Sequence, residues 1–173
     1  WEWRANLIAE METGDGSEGG VALEGRAQVS RALNASALGT DDWRLGIEYF
    51  AELGNTRDIP GFYLYDYDEA ERIIGEIGAP NLRLQFDFYH LQITEGNLAA
   101  GLRRHFDAIG HLQFSSVPGR HEPQHGEVNL PYLFNVVDET GYGGWIGCEY
   151  RPKASTAEGL TWAHPYGLGL RDD

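Results

Sequence analysis

From residue 44 onward, short apolar runs that alternate every second position give way repeatedly to longer stretches whose apolar residues return every three or four positions. The first pattern belongs to strands and the second to amphipathic helices. Read this way, the chain predicts strands over 44–53, 82–88, 110–116 and 145–150, and helices over 68–78, 98–107, Leu130–Thr140 and 155–163. The helix limits carry their own signals: Asp68 opens and Gly78 closes the first, Asn97 is an N-cap for the second, and Ser155 with Glu158 forms a capping box for the last. Residues 1–40 have a different texture. Gly14, Gly16, Gly19, Gly20 and Gly25 interrupt a polar stretch with no sustained period, so this part reads as weakly structured apart from a short helix predicted near 28–37.

Four consecutive strand–helix units imply parallel strands joined by right-handed crossovers, an α/β fold. An open doubly wound sheet satisfies that order, and so does the second half of a (β/α)₈ barrel, whose full length is typically about 250 residues. No glycine-rich phosphate loop follows any of the strands, which speaks against a nucleotide-binding sheet. The chain divides into an atypical segment, 1–44, and a folded unit, 45–173.

Strand alternation sorts the side chains. Leu84, Phe86 and Phe88 share one face, and Gln85 and Asp87 the other; Leu112 and Phe114 oppose His111, Gln113 and Ser115; Ile146, Cys148 and Tyr150 oppose Gly147 and Glu149. The apolar faces suit a helical layer, with Cys148 a buried, inert thiol. The other faces bring Glu52, Asp87, Gln113 and Glu149 to successive strand ends, where α/β enzymes build their sites. One such group alone reads as a solvated strand end or a partner of Arg57, Arg83, Arg120 or Lys153. Four at four successive ends read as one all-oxygen site suited to Mg²⁺ or Mn²⁺. Glu48 shares the face of Glu52 and is the other candidate for the first-strand acid. His90, three residues past Asp87, is expected on a loop over the same rim. Arg120, in a loop stiffened by Pro118 and Pro123, suits a substrate carboxylate; its bland alternative is a salt bridge to Glu122 or Glu127.

His105, His111, His125 and His164 lack a metal-binding spacing and read as structural or exposed. Trp145, Tyr132, Phe134, Leu133 and Val137 read as core or subunit contact. Composition narrows the partners. The 173-residue chain carries 13 basic and 27 acidic residues, a formal charge of −14, which repels nucleic acid and anionic membrane surfaces. A single cysteine and the lack of an 18-residue apolar run give the expectation of a soluble, cytoplasmic protein without a disulfide framework. The start at Trp1 reads as that of a fragment.

Several stretches together resemble the hydroxypyruvate isomerase family, within the xylose-isomerase-like TIM barrels. They are Asn55-Thr56-Arg57-Asp58-Ile59-Pro60-Gly61-Phe62, Leu84-Gln85-Phe86-Asp87-Phe88-Tyr89-His90, Glu95-Gly96-Asn97-Leu98, Val117-Pro118-Gly119-Arg120-His121-Glu122-Pro123, Gly126-Glu127-Val128-Asn129, and Gly141-Tyr142-Gly143-Gly144-Trp145-Ile146-Gly147-Cys148-Glu149-Tyr150 with Lys153 following. The resemblance covers roughly 52–170 and implies the C-terminal half of a (β/α)₈ barrel. It further implies a divalent metal on Glu52, Asp87, Gln113 and Glu149, with Glu52 and Glu149 as acid/base pair and His90 and Arg120 contacting substrate. The implied reaction interconverts hydroxypyruvate and 2-hydroxy-3-oxopropanoate (tartronate semialdehyde) through a metal-stabilised enediolate. Gln113 stands where the epimerase relatives have histidine, which favours the isomerase branch. A 2-oxo-tetronate isomerase, a ketose 3-epimerase, and an inactive fragment that only binds a partner are the competing expectations. A half barrel leaves open strand edges and an uncovered inner face, a reason to expect the missing half or a second copy, as in a homo-oligomer.

Overall fold

The computed structural model describes residues 23–31 and 43–167, with side chains from Phe50 onward. Five strands form one sheet in the order β1 (Leu23–Arg31), β2 (Trp43–Glu52), β3 (Leu82–Asp87), β4 (Ile109–Phe114) and β5 (Ile146–Cys148). From β2 to β5 all pairings are parallel. The crossovers run through α1 (Tyr67–Ile77), through α2 (Phe88–Thr94) and α3 (Leu98–His105), and through α4 (Leu130–Thr140); α5 (Thr156–Gly159) follows β5.

Within residues 1–44 the expectation changes in one place. Leu23–Arg31 is a strand paired antiparallel with β2, from Leu23 opposite Ala51 to Arg31 opposite Trp43. The helix predicted near 28–37 is therefore wrong over 28–31, where Val29 and its neighbours join a ladder whose hydrogen bonds override a weak local period; the remainder of that prediction lies outside the described residues. An antiparallel neighbour is foreign to an all-parallel barrel, and here it occupies the edge next to β2.

The helix ends follow side-chain chemistry. α1 is opened by Asp66, whose carboxylate accepts from the Glu69 amide, not by the predicted Asp68, and Gly78 closes it in the left-handed conformation (φ 64°). α4 begins at Asn129 as N-cap to Tyr132, and Ser155 and Glu158 form the expected capping box. The last predicted helix is shorter: after α5 the chain winds as a 3₁₀ helix over Thr161–Tyr166.

The core lies between the sheet and its helices. Leu84, Phe86, Leu112 and Phe114 project from β3 and β4 onto Ala70, Leu91, Leu102, Leu133 and Val137. On β5 the same alternation does not lead to burial. Ile146 and Cys148 are exposed, as are Trp145 and Tyr132, while Leu133 and Val137 are buried and Phe134 is half-buried. The buried thiol expected at Cys148 is thus corrected, because among the described residues β5 is the edge of the sheet and leaves Cys148 exposed. Burial by surrounding atoms and the Asp87 charge still push that thiol up to about 12, which keeps it protonated and unreactive.

A loop at residues 115–127 folds back on itself after β4. The Ser116 amide donates to His121 O, Arg120 N to Ser116 O, and Glu127 N to Val117 O at 2.7 Å. Gly126 makes this closure possible through space and not conformation: a Cβ there would lie 2.6 Å from Val117 O and 2.8 Å from Ser116 Cβ. Because backbone cannot yield as a flexible side chain can, Gly126→Ala is expected to destabilise the chain by about 1–3 kcal/mol, measured by urea denaturation; an unchanged midpoint would show that the loop is not closed in this way.

Candidate functional site

The site grows from the C-terminal end of β3. Asp87 closes that strand and serves as N-cap of α2, its Oδ1 accepting from the Tyr89 amide at 2.8 Å. The backbone on either side is pinned by Tyr67, whose hydroxyl donates to Asp87 O at 3.0 Å and lies 3.2 Å from Asp87 N. Only 1% of Asp87 remains exposed. Burial raises its carboxyl to about 7, against the opposing pull of the Tyr89 amide and Arg120. The Tyr67 hydroxyl, buried beside that carboxylate, is held well above its ordinary value.

Three further predicted residues gather on Asp87. Arg120 Nη2 reaches Glu149 Oε1 at 2.7 Å and Asp87 Oδ2 at 3.5 Å, so one nitrogen spans the two acids. Arg120 does not pair with Glu122 or Glu127, the bland alternative. Its backbone is left-handed (φ 52°) after the cis Val117-Pro118 bond and Gly119, and its guanidinium lies over the Tyr89 ring at 5.0 Å, a cation–π contact. Arg120 Nε is buried with no hydrogen-bond partner among the described residues, and Ser115 Oγ on the β4 face is in the same position. His90 Nε2 lies 3.6 Å from Asp87 Oδ2. His90 sits in the first turn of α2, not on the expected loop, because Asp87 caps a helix directly at the strand end.

Gln113 and Glu52 are placed by the sheet register. Gln113 stands opposite both Asp87 and Gly147, and Glu52 opposite Gln85. Gln85 Nε2 donates to Gln113 Oε1 at 3.1 Å. Glu52 is half-buried at the end of β2; the Glu48 side chain lies outside the described residues. Glu149 follows β5 by one residue with its side chain 48% exposed, at the solvent side of the group. Thus Asp87, His90, Arg120 and Glu149 are in direct contact, and Gln113 and Glu52 flank them on the same face.

Four residues outside the predicted set complete the site. Asn55 Oδ1 accepts from the amides of Arg57 (3.1 Å) and Asp58 (2.8 Å), while its Nδ2 lies 2.8 Å from Asp58 Oδ2 and 2.9 Å from His90 Nδ1. Tyr89 donates its hydroxyl to Asp58 at 2.6 Å. These two bonds hold the Asp58 carboxyl below its usual range. Gln85 is the fourth. Its position beside Asp87 on the alternating face was the signal that could have found it, whereas the links from Asn55 and Asp58 to α2 join residues more than thirty positions apart and leave no local pattern.

Among the described residues, three ligand atoms of histidine, cysteine or acidic residues come within 4.8 Å of one another at Asp68, Glu71 and His105, away from this site. There the buried His105 Nδ1 meets Glu71 Oε1 at 2.9 Å, and Asp68 pairs with Arg104, an ionic contact between α1 and α3. His105 and His111 are buried, His125 and His164 exposed, in keeping with structural or surface roles.

Compared with known proteins, residues 4–166 match the model of the xylose isomerase-like TIM barrel. The chain belongs to this family. The family match reaches well before residue 52, where the resemblance read from motifs begins, and includes the stretch whose hydrophobic pattern carries no barrel signal. The 2-oxo-tetronate isomerase of Cupriavidus necator is 54% identical over 163 residues, 94% of this chain and 60% of its own length. The hydroxypyruvate isomerase of Escherichia coli K12 is 46% identical over 112 residues, 65% of this chain and 43% of its own. A crystal structure described as an AP endonuclease, family 2, from Brucella melitensis superposes with a TM-score of 0.65 at 44% identity, over 68% of this chain and 45% of that one. The chain therefore spans between about two fifths and three fifths of the length of these family members. Among the described residues no helix is long and apolar enough to cross a membrane.

The raised Asp87 carboxyl has a measurable consequence. The unfolded chain releases this proton near the ordinary value of about 4, the folded chain only near 7. Between these values the folded state holds the extra proton, so the group lowers stability as pH rises from about 4 to about 7 and costs most above 7. Asp87→Asn, which keeps an N-cap oxygen, should gain thermal stability relative to the parent as pH rises through that window, in melts run with a chelator. A pH-independent difference would show that Asp87 is not strained by burial.

Proposed function

We propose that the chain carries the active site of a sugar-acid isomerase acting on a short hydroxy-oxo acid. The observation that carries this reading is Arg120, which spans Asp87 and Glu149 and whose Nε is buried with no hydrogen-bond partner among the described residues. A guanidinium with a donor to spare, at the C-terminal rim of parallel strands, suits a substrate carboxylate. Beside it stand two acids, groups able to carry a proton between neighbouring carbons, and a histidine within reach of a substrate oxygen. The family supports the reading, and the Cupriavidus necator relative, the more identical of the two over the longer stretch, favours a four-carbon 2-oxo acid. The Escherichia coli relative points to hydroxypyruvate as the three-carbon alternative.

The donor chemistry fits a divalent cation such as Mg²⁺ or Mn²⁺. Glu52, Asp87, Gln113 and Glu149 offer only hard oxygens, and Asp87 is a buried carboxyl whose ionisation calls for a positive neighbour. These four residues would hold the ion, which when bound supplies Lewis acidity toward adjacent substrate oxygens. The chain's own groups do the rest. Arg120 binds the substrate carboxylate and fixes its orientation. Glu149, at the solvent side, removes the carbon-bound proton, and the pair of Glu52 and Glu149 returns it to the neighbouring carbon by way of an enediolate. His90 contacts a substrate oxygen.

Two measurements test this. Glu149→Gln should lower turnover by about 10²–10⁴ on whichever of hydroxypyruvate and 2-oxo-tetronate the parent converts, with an unchanged fold by circular dichroism; full activity would remove Glu149 from the mechanism. Mn²⁺ at a hundredfold excess over its dissociation constant should stabilise the parent by about 2.7 kcal/mol and leave Asp87→Asn unaffected. A chain with neither response would be a fragment that only binds.

A further inference from the structure

The hydrogen-bond geometry around Asn55 fixes where the proton on His90 must be. Asn55 Oδ1 is identified by what it contacts: two backbone N–H groups, those of Arg57 and Asp58, point at it, and only an oxygen can accept them. The other terminal atom is therefore the amide nitrogen, which has two hydrogens and no lone pair to offer. One hydrogen goes to Asp58 Oδ2 at 2.8 Å, an acceptor when ionised, and the second to His90 Nδ1 at 2.9 Å. For that second bond Nδ1 must present its lone pair.

We infer that Asn55 is a positioning residue that locks His90 as the neutral Nε2–H tautomer, so that the imidazole meets a substrate as a hydrogen-bond donor and not as a base. A neutral ring with an unprotonated Nδ1 carries its proton on Nε2, and Nε2 is the atom that faces Asp87. At 3.6 Å the Asp87 oxygen is beyond hydrogen-bond distance, which leaves this N–H able to donate to an oxygen that comes closer. The same contact excludes an imidazolium, which would carry a proton on Nδ1 and could not accept from the Asn55 amide. Asp58 serves both sides of the arrangement. It accepts one Asn55 hydrogen and the Tyr89 hydroxyl, and so ties the tautomer of His90 to the ring on which Arg120 rests.

The inference identifies the ligand group as well: an oxygen with a free lone pair, the carbonyl or hydroxyl of a hydroxy-oxo acid. It also removes His90 from the acid/base work and leaves that to the carboxylates. Only the identity of the acceptor rests on the isomerase reading; the tautomer does not. Long-range ¹H–¹⁵N correlation spectra of the ¹⁵N-histidine-labelled chain near neutral pH, with His90 assigned by its absence in His90→Gln, read the proton directly. The expected result is an unprotonated Nδ1 and a protonated Nε2. A protonated Nδ1, alone or in an imidazolium, would overturn the inference, and this measurement needs no variant that alters the loop. In Asn55→Ala the donor to Nδ1 is gone, so the Nδ1 and Nε2 signals of His90 should move away from those of a single locked tautomer; unchanged signals in that folded variant would also overturn it. A chain that shows the Nε2–H tautomer without converting any acid would keep the inference and end the isomerase reading.

Discussion

A carboxylate at the buried end of an apolar strand is the constraint on which the rest of this site depends. Asp87 follows Leu84 and Phe86, both fully buried, and is itself as buried as they are. Removing such a charge from water costs several kcal/mol unless neighbours compensate. The compensation is visible in the surrounding residues. The Tyr89 amide donates to one oxygen and Arg120 approaches the other, while Tyr67 holds the strand backbone from below. Arg120 is in turn drawn to Glu149, so the need of one acid brings the end of β5 toward the end of β3. A folding problem at one residue thereby gathers the groups that proton chemistry would use.

The sheet divides its two faces between stability and this chemistry. Toward the helices, Leu84, Phe86, Leu112 and Phe114 bury apolar surface; on the other side Gln85, Asp87, His111 and Gln113 form a continuous polar band in register from strand to strand. That band needs partners of its own, and the Gln85–Gln113 bond is one of them. Toward β5 the arrangement opens. Ile146 and Cys148 on β5, the edge strand among the described residues, and Trp145 just before it are exposed, in a chain that spans only part of the length of its family members. An apolar edge of this kind is what a neighbouring strand would cover.

The order of the parallel strands, the alternation of faces and some of the capping signals were legible because each is a local rule: Gly78 and the Ser155–Glu158 pair end or begin a helix whatever surrounds them, whereas Asp66 and not Asp68 caps α1, and Asn97 stands at the start of α3 without a side-chain cap bond. Asp87 and Glu149 were legible because a charge at the end of an apolar run is costly and persists where it has a partner or a task, and Arg120 because it lies in a two-proline loop that follows a strand end. What escaped was set by distance. Glycine-rich texture hid the strand at Leu23–Arg31, which exists by pairing with β2. The helix that carries His90 was hidden because Asp87 ends a strand and caps a helix with the same side chain. Ile146 and Cys148 followed the right alternation, yet burial depends on what packs against an edge, and no pattern within β5 records that.

The loop after β2 shows how far such distant bonds reach. Gly54 has no room for a side chain because the Phe62 ring lies against it, with a Cβ position only 2.6 Å from that ring. The same close packing, with the Gly54 amide donating to Leu64 O at 3.1 Å, returns the chain so that Asn55 and Asp58 face α2. Asn55 is completely buried and uses both lone-pair directions of its oxygen and both hydrogens of its nitrogen, leaving it one orientation. A residue so fully bonded transmits its geometry: rotation of its amide by half a turn would set an oxygen against Asp58 and a nitrogen against two backbone donors. The environment of His90 is for that reason decided in a loop that contributes none of the four residues proposed to hold the ion, and the electrostatics of the site depend on Asn55 and Asp58 as well as on the groups at the strand ends.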